Sequence, residues 1–171
     1  RTPGRATWGL VSVEARPACP KRHDGRCRVG TAPSRTAWHH PRMPPIYELT
    51  RIEPAHIERL DRQGIFTTGL LLEVSETSTR RQTLADQVAA DTTDVLMWRD
   101  EALMLNLAGF GPDEHQMMIQ ARIEGLRDIL DLDLDAFREK VRRGASELGV
   151  DPPSDLTIEG WWDQARTLED E

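Results

Sequence analysis

Gly109-Phe110-Gly111-Pro112 is the segment of this chain with the clearest chemical potential. Glycines without a Cβ let a chain turn tightly and bring successive backbone N–H groups close to an anion. Proline at the next, first helical position starts a helix whose N-terminus adds positive potential, so the chemistry on offer is phosphate binding. Two features oppose it. Asp113 and Glu114 fall in the first helical turn, where their carboxylates compete for the same positive end. Of 22 Lys/Arg and 29 Asp/Glu in the chain, nine and two precede Met43, so residues 43–171 carry 13 bases against 27 acids, a net of −14. Such a body lacks the basic footprint that supplies most nonspecific nucleic-acid affinity. The structural alternative is that Phe110 plugs a core and the glycines permit the turn.

Other constellations are weaker. Asp131, Asp133 and Asp135 alternate as in a calcium loop, but Ala136 stands where that loop needs glycine and Arg142 where it needs glutamate. Helix capping by Asp133 or Asp135 is the expected role. Cys19, His23, Cys27, His39 and His40 include zinc-ligand types, yet their gaps differ from paired C-x-x-C spacing, and no metal is expected. After Met43 only His56 and His115 remain, with no cysteine and no triad-like spacing, so neither catalysis nor a cofactor is expected. Arg80-Arg81 and Arg138, Lys140, Arg142 and Arg143 read as solvated helix faces. Trp162 is placed toward the surface, either as an anchor for a partner or as a cover for neighbouring helices.

The elements that position these residues come in two similar sets. Leu107 to Pro112 pairs with Leu49-Thr50-Arg51-Ile52-Glu53-Pro54, 58 residues earlier, and the match continues through Leu60 and Met118, Ile65 and Ile123, and Leu71 and Ile129. Each set predicts a helix, a tight turn, and a proline-started helix, the arrangement of a helix-hairpin-helix. Downstream, Val95, Trp98, Ala102 and Leu105 share one helical face, and Ile158, Trp161, Ala165 and Leu168 repeat it at a spacing of 63. The drift from 58 to 63 places insertions within Gly144 to Ser154. Thr67 or Thr68, Thr92 or Thr93, and Ser154 or Asp155 are the candidate caps. A stripe of Phe137, Val141, Ala145 and Leu148 is expected to face inward. The sequence predicts an all-α fold of tandem helix-hairpin-helix-like repeats, about four short helices each, with repeat one at about 46–105 and repeat two at about 106–168.

This pattern resembles the helix-hairpin-helix-like family catalogued as domain of unknown function 4332, over residues 46–168. The resemblance implies an all-α tandem with no assigned reaction and a binding role, with Gly109, Phe110, Gly111 and Pro112 matching the hairpin. The first copy departs from it: Arg51 and Glu53 replace the glycines, while Gly64 is kept where the second copy has Arg122.

Residues 1–42 are Arg-, Pro- and Gly-rich without apolar periodicity and are expected to be a disordered basic tail, upstream of the functional protein or cleaved from it. No apolar run approaches the ~20 residues of a membrane span, and the expected location is the cytoplasm. The expected function is a non-catalytic interaction module that binds a protein partner or self-associates. The alternative is weak, sequence-independent DNA binding through Gly109 to Pro112.

Overall fold

Short apolar stripes at helical spacing, broken by Pro, Gly, Asp and Thr, produce eight α-helices in the computed structural model, which describes residues 43–169. They are α1 (Pro54–Arg62), α2 (Thr68–Val74), α3 (Ser78–Val88), α4 (Thr92–Leu105), α5 (Pro112–Gln120), α6 (Leu126–Leu130), α7 (Leu134–Leu148) and α8 (Asp155–Glu169). A 3-10 turn at Ile46–Glu48 precedes them, and there is no strand among the described residues. The nearest thing to one is an isolated antiparallel bridge between Pro45 and Thr67. The expectations for the basic tail and for Cys19, His23, Cys27, His39 and His40 lie outside the described residues.

Several helix starts use the side chains that the sequence offers. Thr67 accepts from Leu70 N at 3.3 Å, Asp133 from Ala136 N at 2.8 Å and Ser154 from Thr157 N at 3.2 Å. The Asp133 carboxylate is thus a helix cap, in keeping with the sequence reading. The start of α4 differs from expectation: Thr92 is already helical, and Asp91 is the N-cap, with its N–H donating to Asp94 Oδ2 at 3.0 Å. An acid at the third helical position can reach back to the cap, which makes Asp91 the better stop.

Four helix ends close on a residue in the left-handed region: Gly64 (φ +80°), Ala89 (+50°), Arg122 (+56°) and Gly149 (+70°). Each lets the following N–H reach back to a helix carbonyl, at 3.0 Å for Ile65 to Leu60, Ala90 to Ala85 and Val150 to Ala145, and 2.9 Å for Ile123 to Met118. Ala89 and Arg122 hold this conformation with a Cβ, at a cost that glycine avoids.

One continuous core results. Trp98 and Trp161 are fully buried, together with Leu60, Leu71, Met118, Phe137 and Ile158. Helices α2 and α3 pack on α4, α6 and α7 pack on α8, and α4 meets α6 where the two sets join. Helix α7 lies so close to α5 that a Cβ on Gly144 would sit 2.5 Å from the Met117 carbonyl oxygen. Leu148, expected inward, is 41% exposed at the last position of α7, where the chain leaves the helix.

Trp98→Ala and Trp161→Ala are each expected to cost about 3–5 kcal/mol in urea unfolding, and Trp162→Ala clearly less, because only the first two fill the core. Ala89→Gly and Arg122→Gly are expected to raise stability by about 1 kcal/mol each, since glycine relieves the left-handed strain. A loss of stability in both glycine variants would contradict this account of the helix ends.

Candidate functional site

The turn before α1 is closed by a buried acid. Leu49 and Ile52 point into the core, which leaves the donors between them facing α4. There Glu101, 0% exposed, receives Thr50 N and Thr50 Oγ1 on Oε1, both at 2.7 Å, and Arg51 N on Oε2 at 3.2 Å. His115 on α5, also buried, brings Nε2 within 3.3 Å of Glu101 Oε1, off the line of a hydrogen bond, so the contact is an ion pair when the ring is protonated. Burial pushes the Glu101 carboxyl up, but the His115 ring and the Thr50 and Arg51 donors outweigh it and hold the group below the ordinary glutamate range. Arg51 Nε also lies 3.6 Å from Glu124, in the connection between α5 and α6. The first turn therefore faces the rest of the domain.

The turn before α5 holds the expected site residues together. Gly109 needs its left-handed φ of +73°, although a Cβ there would meet nothing within 4 Å. Phe110 is buried edge-on against Trp161, with ring centroids 5.4 Å apart. Pro112 begins α5, and Gly111 N donates to Glu114 Oε2 at 2.9 Å. Ala108 N donates to Gln164 Oε1 at 2.8 Å, and Trp161 Nε1 donates to the Ala108 carbonyl at 3.1 Å. Phe110 N returns to Leu107 O at 3.1 Å. Among the described residues no acceptor takes the Gly109 N–H, so one donor of this turn remains for an outside anion.

The remaining candidates divide: Trp162 packs partly into the fold, whereas Arg80, Arg142 and Arg143 stay on exposed faces. Trp162 is half-buried: its Nε1 donates to Leu132 O at 3.1 Å, and the Arg166 guanidinium lies 4.6 Å from the ring centroid. Arg80, Arg81 and Arg99 donate to the carbonyls of Glu73, Ser75 and Leu72, closing the C-terminal end of α2. Burial lowers the Arg99 pKa, and the charge of Arg81 adds to this. Arg138 and Arg142 pair with Glu159 and Asp155 of α8. His56 lies tilted against Trp98, with ring centroids 5.2 Å apart. No group of metal-ligating side chains is assembled among the described residues.

Glu101, Gln164 and Asp100 are the residues that sequence reasoning missed. Asp100 Oδ1 accepts Arg127 N at 3.1 Å near the start of α6, and a Cβ on Gly125 would collide with its carboxylate. Burial raises the Asp100 pKa, against the pull of Arg127. A signal existed. Glu101 interrupts the apolar stretch of α4, and at the spacing of 63 that relates Trp98 to Trp161 its counterpart is Gln164, the other turn-capping residue.

These features define an all-helical domain whose two proline-started helices are preceded by turns closed from within the chain. Residues 50–168 match the family described as Domain of unknown function (DUF4332), and the chain belongs to it. No curated protein and no solved structure matches the chain. No helix among the described residues is long and apolar enough to cross a membrane.

Glu101→Gln is expected to cost about 1–3 kcal/mol at neutral pH, because an amide nitrogen on a fully buried side chain would face the Arg51 donor. The pH dependence has a fixed sign. A carboxylate with a lowered folded pKa adds stability above its unfolded value of 4.5, and that stability is lost as pH falls through the lowered folded value. Urea midpoints from pH 7 to pH 2 should therefore show the gap between wild type and Glu101→Gln narrowing on acidification. A constant gap would contradict an ionised Glu101.

Proposed function

We propose that residues 46–168 form a duplicated helix-hairpin-helix-like scaffold that works as a non-catalytic interaction module in the cytoplasm, binding a protein partner or a second copy of itself. The observation that carries this reading is the internal occupation of the turns. In a nucleic-acid-binding hairpin the turn donors meet a phosphate. Here Glu101 takes Thr50 and Arg51, Gln164 takes Ala108, and Glu114 takes Gly111. Apart from the Gly109 N–H, the donors named here are reached by a phosphate only by displacing a side chain, a carboxylate in two of the three cases, against a net charge of −14 in residues 43–171.

The duplication is supported by matched geometry. Both turns precede a proline-started helix, Gly64 and Arg122 share the left-handed conformation, and Glu101 and Gln164 cap from corresponding helices. The non-catalytic part of the reading rests on the two described histidines being engaged in packing, His56 on Trp98 and His115 beside Glu101. Trp162 has its N–H and one ring face occupied, so Tyr47, Phe66 and Leu156, at 71%, 55% and 79% exposure, offer a partner more apolar surface. DNA binding at Gly109 to Pro112 is the second reading, favoured by the unclaimed, exposed Gly109 N–H.

A gel shift with residues 43–171 and duplex DNA near physiological salt should show no complex. Micromolar binding that weakens with salt and vanishes in folded Gly111→Glu, checked by circular dichroism, would make DNA binding the function instead.

A further inference from the structure

The two halves close the ends of their short helices, α2 and α6, with different chemistry. In the second half a neutral indole does so, as Trp162 of α8 donates to Leu132 O, while Val141 of α7 is fully buried in the core. In the first half two cations stand at the corresponding positions. At the spacing of 63 that relates Trp98 to Trp161, Arg99 takes the place of Trp162, and it too donates to a carbonyl, Leu72 O, at 2.7 Å. Ala85 and Ala145 accept the same helix-end bond, from Ala90 N and Val150 N, which makes Arg81 the counterpart of Val141. Arg81 Nη1 donates to Ser75 O at 3.1 Å and to Glu76 O at 2.8 Å. Helices α3 and α4 thus each bring a guanidinium to the same helix end.

Closing a helix end does not require two charges, since the second half manages with an indole and a valine. Nor are the two charges balanced. The C-terminus of a helix carries roughly half a negative charge, and the Glu76 carboxylate at this end is paired with Arg80 at 2.9 Å. Among the described residues no carboxylate, that of Glu73 included, lies within ion-pair distance of Arg81 or Arg99. Both side chains are half-buried. Burial, and then the charge of Arg81, lowers the Arg99 pKa, while Glu76 works against them. Each guanidinium uses only Nη1 on the carbonyls, and its other nitrogens are neither bonded among the described residues nor sealed from solvent.

We propose that Arg81 and Arg99 form a site for a phosphate dianion at the end of α2, either free phosphate or the phosphate of a monoester. Guanidiniums present planar forks that match phosphate oxygens, and two of them balance two negative charges. A nucleic-acid phosphodiester carries only one charge per phosphate and matches the pair less well. The ligand supplies in the first half the neutrality that Val141 and Trp162 give the second. The site lies apart from both turns, and it stands whether or not the domain is an interaction module.

Titration of the full chain with inorganic phosphate, followed through the arginine Nε–H signals in heteronuclear NMR spectra, tests this. The Arg81 and Arg99 signals should shift together and saturate, whereas sodium chloride at equal ionic strength should leave them in place. Arg81→Val, which copies the second half, should weaken phosphate binding at least tenfold, read on Arg99, with unchanged helix content. If that variant loses helix content, Arg99→Gln takes its place, read on Arg81, with the same expected loss. Phosphoserine separates the two sources: binding as tight as that of inorganic phosphate assigns the site to monoesters, and weaker binding assigns it to the free ion. Shifts that chloride reproduces, that never saturate, or that persist unchanged in a folded variant would overturn the proposal.

Discussion

A turn between two helices leaves backbone N–H groups that neither helix can satisfy, and in this chain the buried Glu101 carboxylate resolves that problem for the first turn. Burying an ionised acid is costly unless donors surround it. Three donors from Thr50 and Arg51 and the adjacent His115 ring supply that compensation. The result ties three elements to one side chain: the turn before α1, helix α4 that carries Glu101, and helix α5 that carries His115. An acid held this way is expensive to lose, because the part-buried donors of Thr50 and Arg51 would lose their acceptor.

The second turn reaches the same end with weaker means. Gln164 is neutral and gives Ala108 a single hydrogen bond, and the Trp161 indole ties the same residue from the other side. Here the apolar contact of Phe110 with Trp161 supplies the fastening that charge supplies in the first turn. The difference follows from position. Thr50 and its counterpart Ala108 are exposed alike, but Arg51 is half-buried and lies beside Glu124 of the second half, whereas its counterpart Gly109 is exposed. Asp100, next to Glu101 on α4, reaches the start of α6, so two consecutive acids on one helix help join the halves.

Much of the architecture was legible because it rests on spacing. The apolar stripes, Pro54 and Pro112 at helix starts, and Gly64 and Gly149 past helix ends each carry a local steric reason that a sequence displays. Trp98 and Trp161 were legible for the same reason, each lying on an apolar face. Glu101 was not. Charged residues are almost always exposed, so an acid within α4 reads as solvated until the turn donors that pull it inward are in place. Trp162 was half legible: its offset from the Trp161 face was, but it is half-buried against the core, and the Leu132 carbonyl that accepts its N–H comes from another connection. Asp91 displaced the expected threonines as the α4 cap because its reciprocal partner Asp94 sits three positions on.

Amide hydrogen exchange at single-residue resolution measures the central claim directly, because it reports whether each turn N–H is held in the folded protein. Thr50 and Arg51 should be protected nearly as strongly as the core helices, Ala108 and Gly111 to a lesser degree, and Gly109 hardly at all. Thr50 and Arg51 amides that exchange as freely as Gly109 would show that Glu101 does not close the first turn, and the account of both turns as internally occupied would fail.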